Sequence, residues 1–400
     1  MPNRAVALLS LLLSPAVPLL AAGKPAARSV VVEAGTQRRQ DVVVSFAVPE
    51  GETGPFRLRD GKKDVPLQIS RGRGYFVVAA LEAGATKTFT LDTVKEGKVT
   101  RGVEAKTEGE DVSFSHGTRT LLRYRGGRGE LRAGVTREEY RRAGYIHPIF
   151  TPDGRMISDD QPADHRHHHG VWAAWTKTEI DGRHPDFWNV GDKTGGVQFE
   201  SLDEVWSGAA FAGLRAKNRY IDLTAAAPTT ALLESWELRV YPVLGASGST
   251  LFDLELVQER TGTTPLILDE YRYGGVGFRG SEQWLPKANL ACLTSEGKER
   301  ESGNGTPARW VRVSGNVDGQ PAAMVMYGHP SNFRAPQPMR LNPDQPFFCW
   351  APPVAGRFEI KPGEPYVARY RFAAFGRVPE VAEIERLWND YAEPPKVSVK

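Results

Sequence analysis

Alternation of apolar and polar residues is the strongest pattern along this chain. Between residues 232 and 241, Trp236 and Leu238 alternate with Glu237 and Arg239. A period of two places successive side chains on opposite faces of a β-strand. Three further stretches of the second half have the same character: 197–205, 251–258 and 322–327. The pattern therefore predicts antiparallel strands, each with one buried and one wet face.

The first hundred residues contain shorter apolar runs. β-branched or aromatic residues cluster at four places: 30–32, 42–46, 75–78 and 87–91. Turns rich in glycine and proline, such as Pro49-Glu50-Gly51, separate these runs. We predict an all-β chain with a small N-terminal β-sandwich-like module over residues 28–100. A large antiparallel β-sandwich domain is predicted over residues 105–378.

One convincing helical period lies near the C-terminus. Pro379 opens it, and apolar residues recur at helical spacing from Val381 to Trp388. The spacing predicts a helix over residues 379–392. The last residues, 393–400, are expected to form a tail.

The first residues have the character of a targeting segment. Arg4 precedes an apolar run from Ala5 to Ala22, which ends in small residues. A basic start, an apolar stretch and a small-residue exit are typical of a secretory signal, so we predict a signal peptide over residues 1–23. We expect export to the periplasm or the medium. Prolines interrupt the run, which disfavours a transmembrane helix, and no later segment is apolar enough to span a bilayer.

Charge and cysteine content narrow the classes of function. Lys and Arg number 51 against 48 Asp and Glu, a net charge of +3. So small an excess gives no indication of a nucleic-acid partner. The two cysteines, Cys292 and Cys349, could pair in an oxidising compartment or stay as two buried thiols, and the sequence leaves both open.

Histidines are concentrated in one short segment. Four of the 8 histidines fall within residues 165–169, directly after Asp164. If this segment is extended, His165, His167 and His169 share one face. Three converging imidazoles suit a divalent metal such as Zn, Fe, Cu or Mn, so a metal site is one hypothesis.

Two other interpretations of the histidines stay open. Imidazoles titrate near neutral pH and could transfer protons to or from a polyol substrate. Trp172 and Trp188, close in sequence, would offer flat apolar faces to the C–H side of a sugar ring. The alternative without function is a solvated turn that happens to be rich in histidine.

Several ordered motifs resemble a bacterial family labelled "methane oxygenase PmoA". The motifs are Tyr145 to Arg155, Asp164 to Trp172, Asp186-Phe187-Trp188, Gly274 to Arg279, Ala308 to Gly315 and Gly328 to Pro336. Two positions depart from the family pattern. Arg166 replaces a proline, and His169 replaces an arginine, which removes a permanent charge and a bidentate donor.

The resemblance implies an exported β-sandwich protein, similar to the galactose-mutarotase-like supersandwiches that occur with carbohydrate-processing enzymes. It does not imply methane oxidation in a membrane, because no span is expected after the signal is removed. On this basis the preferred function is action on a carbohydrate or its derivative by proton transfer, of epimerase, lyase or hydrolase type. The rivals are a metal-dependent oxidoreductase or lyase and a non-catalytic glycan-binding protein.

The candidate site residues follow from these motifs. The catalytic candidates are His165, His167, His168, Glu270 and His329, with Glu270 as the carboxylate base. The candidates for substrate binding are Asp164, Trp172, Trp188, Arg279, Asn332 and Arg334. We expect the histidine segment to lie on an open concave face of the large sheet, within reach of Glu270 or His329.

Overall fold

Antiparallel β-strands make up most of the protein, which confirms the all-β prediction. The computed structural model describes residues 27–51, 54–96, 102–127, 129, 131–245 and 248–400. The signal peptide predicted over residues 1–23 lies outside the described residues. None of the described helices has the length and apolar character that a membrane span requires.

The N-terminal strands form two small sheets around their own apolar cluster. The strands are β1 (Arg28–Glu33), β2 (Arg39–Ala47), β3 (Phe56–Asp60), β4 (Lys63–Val65), β5 (Gln68–Ser70), β6 (Arg73–Leu81), β7 (Thr86–Thr93) and, from the C-terminus, β27 (Lys396–Val399). Their orders are β27-β1-β7-β3-β4 and β2-β6-β5. Val30, Leu58, Phe76 and Phe89 are buried between the two sheets.

The C-terminal residues do not form the predicted tail. Strand β27 pairs antiparallel with β1, with Val399 opposite Val30. Val397 and Val399 pack against the apolar cluster of the N-terminal sheets, so burial of two valines holds the chain end in place.

One large sheet, which we call the site sheet, has eight strands in the order β23-β24-β19-β12-β11-β10-β9-β8. The strands are β8 (Val103–Glu108), β9 (Asp111–His116), β10 (Arg119–Arg125), β11 (Tyr145–Ile149), β12 (Val171–Ala174), β19 (Gly275–Arg279), β23 (Met339–Leu341) and β24 (Phe347–Trp350). Every residue of β12, β19 and β24 is buried. The centre of this sheet is therefore covered on both faces.

A second sheet of eight strands, which we call the opposite sheet, packs against the site sheet in the order β14-β15-β16-β17-β26-β22-β21-β20. Its strands are β14 (Gly195–Trp206), β15 (Ala212–Asp222), β16 (Thr229–Val240), β17 (Thr250–Arg260), β20 (Leu290–Thr294), β21 (Trp310–Val317), β22 (Gln320–Gly328) and β26 (Tyr366–Phe375). Three short strands, β13 (Thr178–Glu179), β18 (Leu266–Leu268) and β25 (Phe358–Ile360), form a further small sheet.

The described α-helices are α1 (Arg300–Gly303) and α2 (Val381–Ala392). Helix α2 confirms the predicted C-terminal helix and covers the outer face of the opposite sheet. Its Ile384 packs against Trp310 and Phe375, and the indole N–H of Trp310 donates to Glu385 at 2.9 Å.

A polar network is buried inside the apolar core between the two large sheets. The carboxylate of Glu234, fully buried on β16, accepts hydrogen bonds from Tyr220 Oη at 3.0 Å and Gln258 Nε2 at 2.8 Å. Tyr220 Oη also lies 2.8 Å from the carbonyl oxygen of Ala173 on β12, and buried Arg142 donates to the same carbonyl. The network therefore links the opposite sheet to the central strand of the site sheet.

The two cysteines occupy different sheets. Cys292 lies on β20 and Cys349 on β24, and both are buried and unpaired. Burial raises the pKa of each thiol to about 12, so both stay protonated at neutral pH.

Truncation of Trp236 should lower the stability of the whole sandwich. The indole is 1% exposed and packs 5.9 Å from the ring of Tyr124, across the two sheets. We expect Trp236→Ala to lower the free energy of unfolding by about 3 to 5 kcal/mol, because the truncation leaves a cavity. Denaturant unfolding measures this change. Ser235→Ala, on the wet face of the same strand, is the control, and an unchanged midpoint for Trp236→Ala would contradict the register.

Candidate functional site

The outer face of the site sheet forms the floor of the candidate site. One row of paired residues crosses five strands, from β11 to β23: Tyr145, Trp172, Gly277, Cys349 and Arg340. A Cβ atom on Gly277 would lie 3.1 Å from the indoles of both Trp172 and Trp188. The glycine therefore lets two tryptophans lie close against the sheet.

The histidine segment forms a turn above this floor. The backbone N–H of His168 donates to the carbonyl of His165 at 2.9 Å, so the extended conformation on which the metal hypothesis depended does not form. The turn brings the rings of His165, His167 and His168 together, with centroids between 4.6 and 5.5 Å apart. His168 packs on Trp172 and Phe347, which belong to the site sheet.

His168 is enclosed by aromatic rings. Its imidazole is 2% exposed and lies 4.5 Å from the ring of Phe347 and 5.2 Å from that of Trp172. Burial holds the pKa of His168 well below its usual range. The ring is therefore neutral at physiological pH, and its Nδ1 lies 3.4 Å from a guanidinium nitrogen of Arg279.

An ion pair between a buried arginine and a more exposed aspartate anchors the turn at its start. Arg279, fully buried on β19, donates to Asp164 Oδ1 at 2.8 Å, and the other carboxylate oxygen lies 3.2 Å from His165 Nδ1. Burial opposes ionisation of Asp164, but the hydrogen bond from His165 and the charge of Arg279 lower its pKa to about 2. Asp164 and Arg279, predicted as substrate contacts, thus hold the histidine turn in place.

A second buried contact anchors the end of the turn and separates His169 from the other histidines. His169 Nδ1 lies 2.5 Å from Asp160 Oδ1, and Tyr145 donates to Asp160 Oδ2 at 3.1 Å. The predicted ligand set of His165, His167 and His169 therefore does not converge. No group of three or more His, Cys, Asp or Glu side chains suited to a metal occurs within the described ranges.

Asp186 fixes the other wall of the site. Its Oδ1 accepts the backbone N–H groups of Trp188 at 2.9 Å and Asn189 at 2.8 Å. Its Oδ2 accepts hydrogen bonds from Thr176 Oγ1 and Asn189 Nδ2, both at 2.8 Å. The carboxylate is thus used within the loop, and the loop presents Trp188 and Asn189 to the histidines.

These elements enclose a pocket of about 110 Å³. We call it the histidine pocket. Its lining consists of His165, His167, His168, Trp188, Asn189, Arg272, Tyr273, Arg340, Asn342 and Phe347. Among the described residues, no carboxylate contributes to this lining. The pocket is therefore polar, partly aromatic and positively charged.

The protonation states in the pocket follow from burial. Burial, followed by the neighbouring His165 and His169, lowers the pKa of His167 to about 4. Burial raises the pKa of Tyr273 to about 12. At neutral pH the pocket thus holds a neutral imidazole that can accept a proton and a phenol that can donate one.

Sequence reasoning missed six of the ten residues of this lining. Asn189, Arg272, Tyr273, Arg340, Asn342 and Phe347 were not among the candidates. Arg340 had a usable signal, because it stands between buried Met339 and Leu341 in the alternation of a short strand. The others come together only through strand pairing and loop packing, which the sequence pattern does not reveal.

The structure does not bring Glu270 or His329 to the histidine pocket. Glu270 is exposed and lies outside the lining. His329 follows β22 of the opposite sheet and packs on Tyr391 of α2, with ring centroids 5.0 Å apart. Because the opposite sheet separates α2 from the site sheet, the expected contact between these motifs does not form.

Asn332 and Arg334 have structural contacts instead of places in the pocket. The side-chain amide of Asn332 donates to the carbonyl of Arg369 at 2.9 Å and accepts the backbone N–H of Arg369 at 2.8 Å. These are the two hydrogen bonds that a neighbouring β-strand would form. Arg334 donates to the carbonyls of Pro352 at 2.8 Å and Gly356 at 2.6 Å. Both side chains therefore fix loops at the edge of the sandwich.

A protein-family model matches most of the chain. A model described as "Family of unknown function (DUF6807)" matches residues 111–389, and the chain belongs to this family. The matched region includes the whole histidine pocket. The family description assigns no activity, and the label "methane oxygenase PmoA" is not part of it. No curated protein matches the sequence.

Two solved structures show a distant likeness. An alpha-mannosidase from Enterococcus faecalis V583 is 10% identical, with a TM-score of 0.47, over 94% of this chain and 46% of that one. A protein in the glycosyl hydrolase family 38 from the same species is 8% identical, with a TM-score of 0.46, over 94% and 47%. The chain thus spans about half the length of each. Likenesses at this level say nothing of its activity.

Stability should fall as the pH falls from about 6.5 to about 4. Burial lowers the pKa of His147 from 6.5 to about 4. Its Nδ1 lies 2.9 Å from Ser158 Oγ, which already accepts the N–H of Ile149, so the neutral ring receives the hydroxyl proton. Between the two pKa values the unfolded chain binds more protons than the folded one, and acid therefore favours unfolding.

Thermal melts across this pH range measure the effect. We expect His147→Gln to flatten the dependence, because one titrating proton is removed while an acceptor for Ser158 is kept. His184→Gln, at an exposed position, should leave the slope as it is. An equal slope in the wild type and in His147→Gln would contradict a buried, neutral His147.

Proposed function

We propose that this member of DUF6807 binds a carbohydrate or carbohydrate derivative in the histidine pocket and transfers a proton to or from it. The observation that carries the proposal is the convergence of His165, His167 and His168 with Asn189 and Tyr273 in one pocket, which the buried rings of Trp188 and Phe347 border. Aromatic faces stack on the C–H side of sugar rings, and imidazoles and amides bind their hydroxyl groups.

The protonation states favour chemistry at a carbon–hydrogen bond. His167 is neutral at physiological pH and can accept a proton, whereas Tyr273 stays protonated and can donate one. Hydrolysis of a glycosidic bond normally uses two carboxylates. Among the described residues the pocket lining contains none, so we propose an epimerase or lyase type of reaction over a hydrolase.

Export is part of this proposal. Its support is the basic start, apolar run and small-residue exit of residues 1–23. The motif resemblance to proteins labelled PmoA supports a carbohydrate-related sandwich. It does not support methane oxidation.

Replacement of His167 should remove activity without unfolding the protein. We expect His167→Asn to slow solvent deuterium incorporation into a bound sugar by about 10²- to 10⁴-fold, the usual effect of losing a general base. Nuclear magnetic resonance in heavy water, across a panel of sugars and sugar acids, measures this exchange. The melting temperature shows whether the variant is folded, and His184→Asn, at an exposed position, is the matched control.

The same experiment separates the rival functions. Full exchange in His167→Asn would contradict proton transfer by this residue. Binding without any exchange in the wild type, lost on Trp188→Ala, would indicate a glycan-binding protein. Metal in protein purified without a histidine tag, falling in His167→Asn, would indicate the metal-dependent alternative.

A further inference from the structure

Arg340 is a partly buried cation in the histidine pocket without an acidic partner. It lies on β23 in the same cross-strand row as Trp172 and Gly277, which places it on the floor of the pocket. One guanidinium nitrogen donates to Asn304 Oδ1 at 3.2 Å, while the buried Nε has no hydrogen-bond partner. Among the described residues, no carboxylate lies within 4.0 Å of this guanidinium.

Arg272 places a second cation in the same pocket. Its guanidinium lies beside the rings of Tyr271 and Tyr273, at 5.7 and 5.8 Å from their centroids. Within the described part of the chain it also forms no ion pair. Burial and then the charge of Arg272 lower the pKa of Arg340, so the two guanidiniums repel each other across the pocket.

Several arginines elsewhere in the sandwich pair with a carboxylate. Arg371 donates to Asp253 at 2.7 Å, and Arg369 donates to Glu255 at 2.6 Å. Beneath the pocket, Arg279 is paired with Asp164. Bringing two like charges together is unfavourable unless an anion lies between them. The arrangement therefore lacks one negative group, and the pocket is open to receive it.

We propose that the histidine pocket binds the carboxylate of a sugar acid between Arg272 and Arg340. This inference rests on the proposed function and names its substrate class. A guanidinium fork matches a carboxylate in bidentate geometry, and an Arg–carboxylate pair is stronger than a hydrogen bond between neutral groups. The small volume, about 110 Å³, suits the carboxylate and the neighbouring carbon of one sugar unit.

A carboxylate in this position would make the proposed reaction feasible. The C–H bond next to the carboxylate breaks, the proton goes to the neutral imidazole of His167, and the electron pair moves into the carboxylate as an enediolate. The two guanidiniums stabilise the charge that develops there. Return of a proton to the carbon completes an epimerisation, whereas loss of a leaving group from the next carbon completes an elimination. Neither course requires an oxidant or a reductant.

Titration calorimetry with three matched probes tests the substrate class. The probes are glucuronate, glucose and glucose 6-phosphate. We expect glucuronate to bind at least about 10-fold more tightly than glucose. Arg340→Gln and Arg272→Gln should each weaken glucuronate binding by about 10- to 100-fold and weaken glucose binding by a much smaller factor. Arg357→Gln, at a half-exposed ion pair with Asp269 outside the pocket, is the control. Melting temperatures show whether each variant is folded.

Each contrary result has a distinct meaning. Equal affinity for glucose and glucuronate, with no effect of Arg340→Gln, would overturn the carboxylate inference and leave the proposed function standing. Tighter binding of glucose 6-phosphate would identify the anion as a phosphate and likewise overturn the carboxylate assignment. Failure of all three probes to bind the folded wild type would contradict the proposed function itself.

Discussion

Burial of polar groups beneath strand β12 is the constraint on which the rest of the structure depends. The carbonyl of Ala173 faces the core, where it accepts a hydrogen bond from Arg142 and lies 2.8 Å from Tyr220 Oη. Tyr220 is in turn bonded to the buried carboxylate of Glu234. Removal of one member would leave a buried charge or carbonyl unpaired, which costs far more than the network gains when complete. The strand that carries Trp172 on its outer face is therefore held in one position.

On the outer face of this strand, two side-chain contacts hold the histidine turn in place. The ion pair of Arg279 and Asp164 begins the histidine turn, and the contact of Asp160 with His169 ends it. Each anchor has one fully buried side chain, Arg279 in the first and His169 in the second, so the imidazoles between them have little freedom to move. A pocket held by such contacts is organised before a substrate arrives, and this preorganisation favours binding and proton transfer.

The sequence predicts part of this fold well and part of it poorly. Strand β16 shows a period of two because one of its faces is wet, and Trp236 lies in the core as predicted. Strand β12 is buried on both faces, so Val171-Trp172-Ala173-Ala174 carries no alternation to read. The central strands of the site sheet, which lie beneath the histidine turn, are thus the ones that periodicity does not detect.

The residues of the candidate site were likewise predicted only in part. Composition found the histidines, because four imidazoles in five positions are unusual for a core. It misjudged His169, since a turn and not a strand carries the segment. It also assigned His329 to the wrong face, because a motif next to a strand does not reveal to which sheet that strand belongs. Arg340 was missed, since only the pairing of β23 with β24 brings it to the pocket.

A crystal structure of the protein with glucuronate bound tests the central claim most directly. We predict the carboxylate between the guanidiniums of Arg272 and Arg340, and His167 within reach of the carbon next to the carboxylate. Ordered sugar outside the histidine pocket, such as in the apolar groove beside His329 and Trp388, would contradict it.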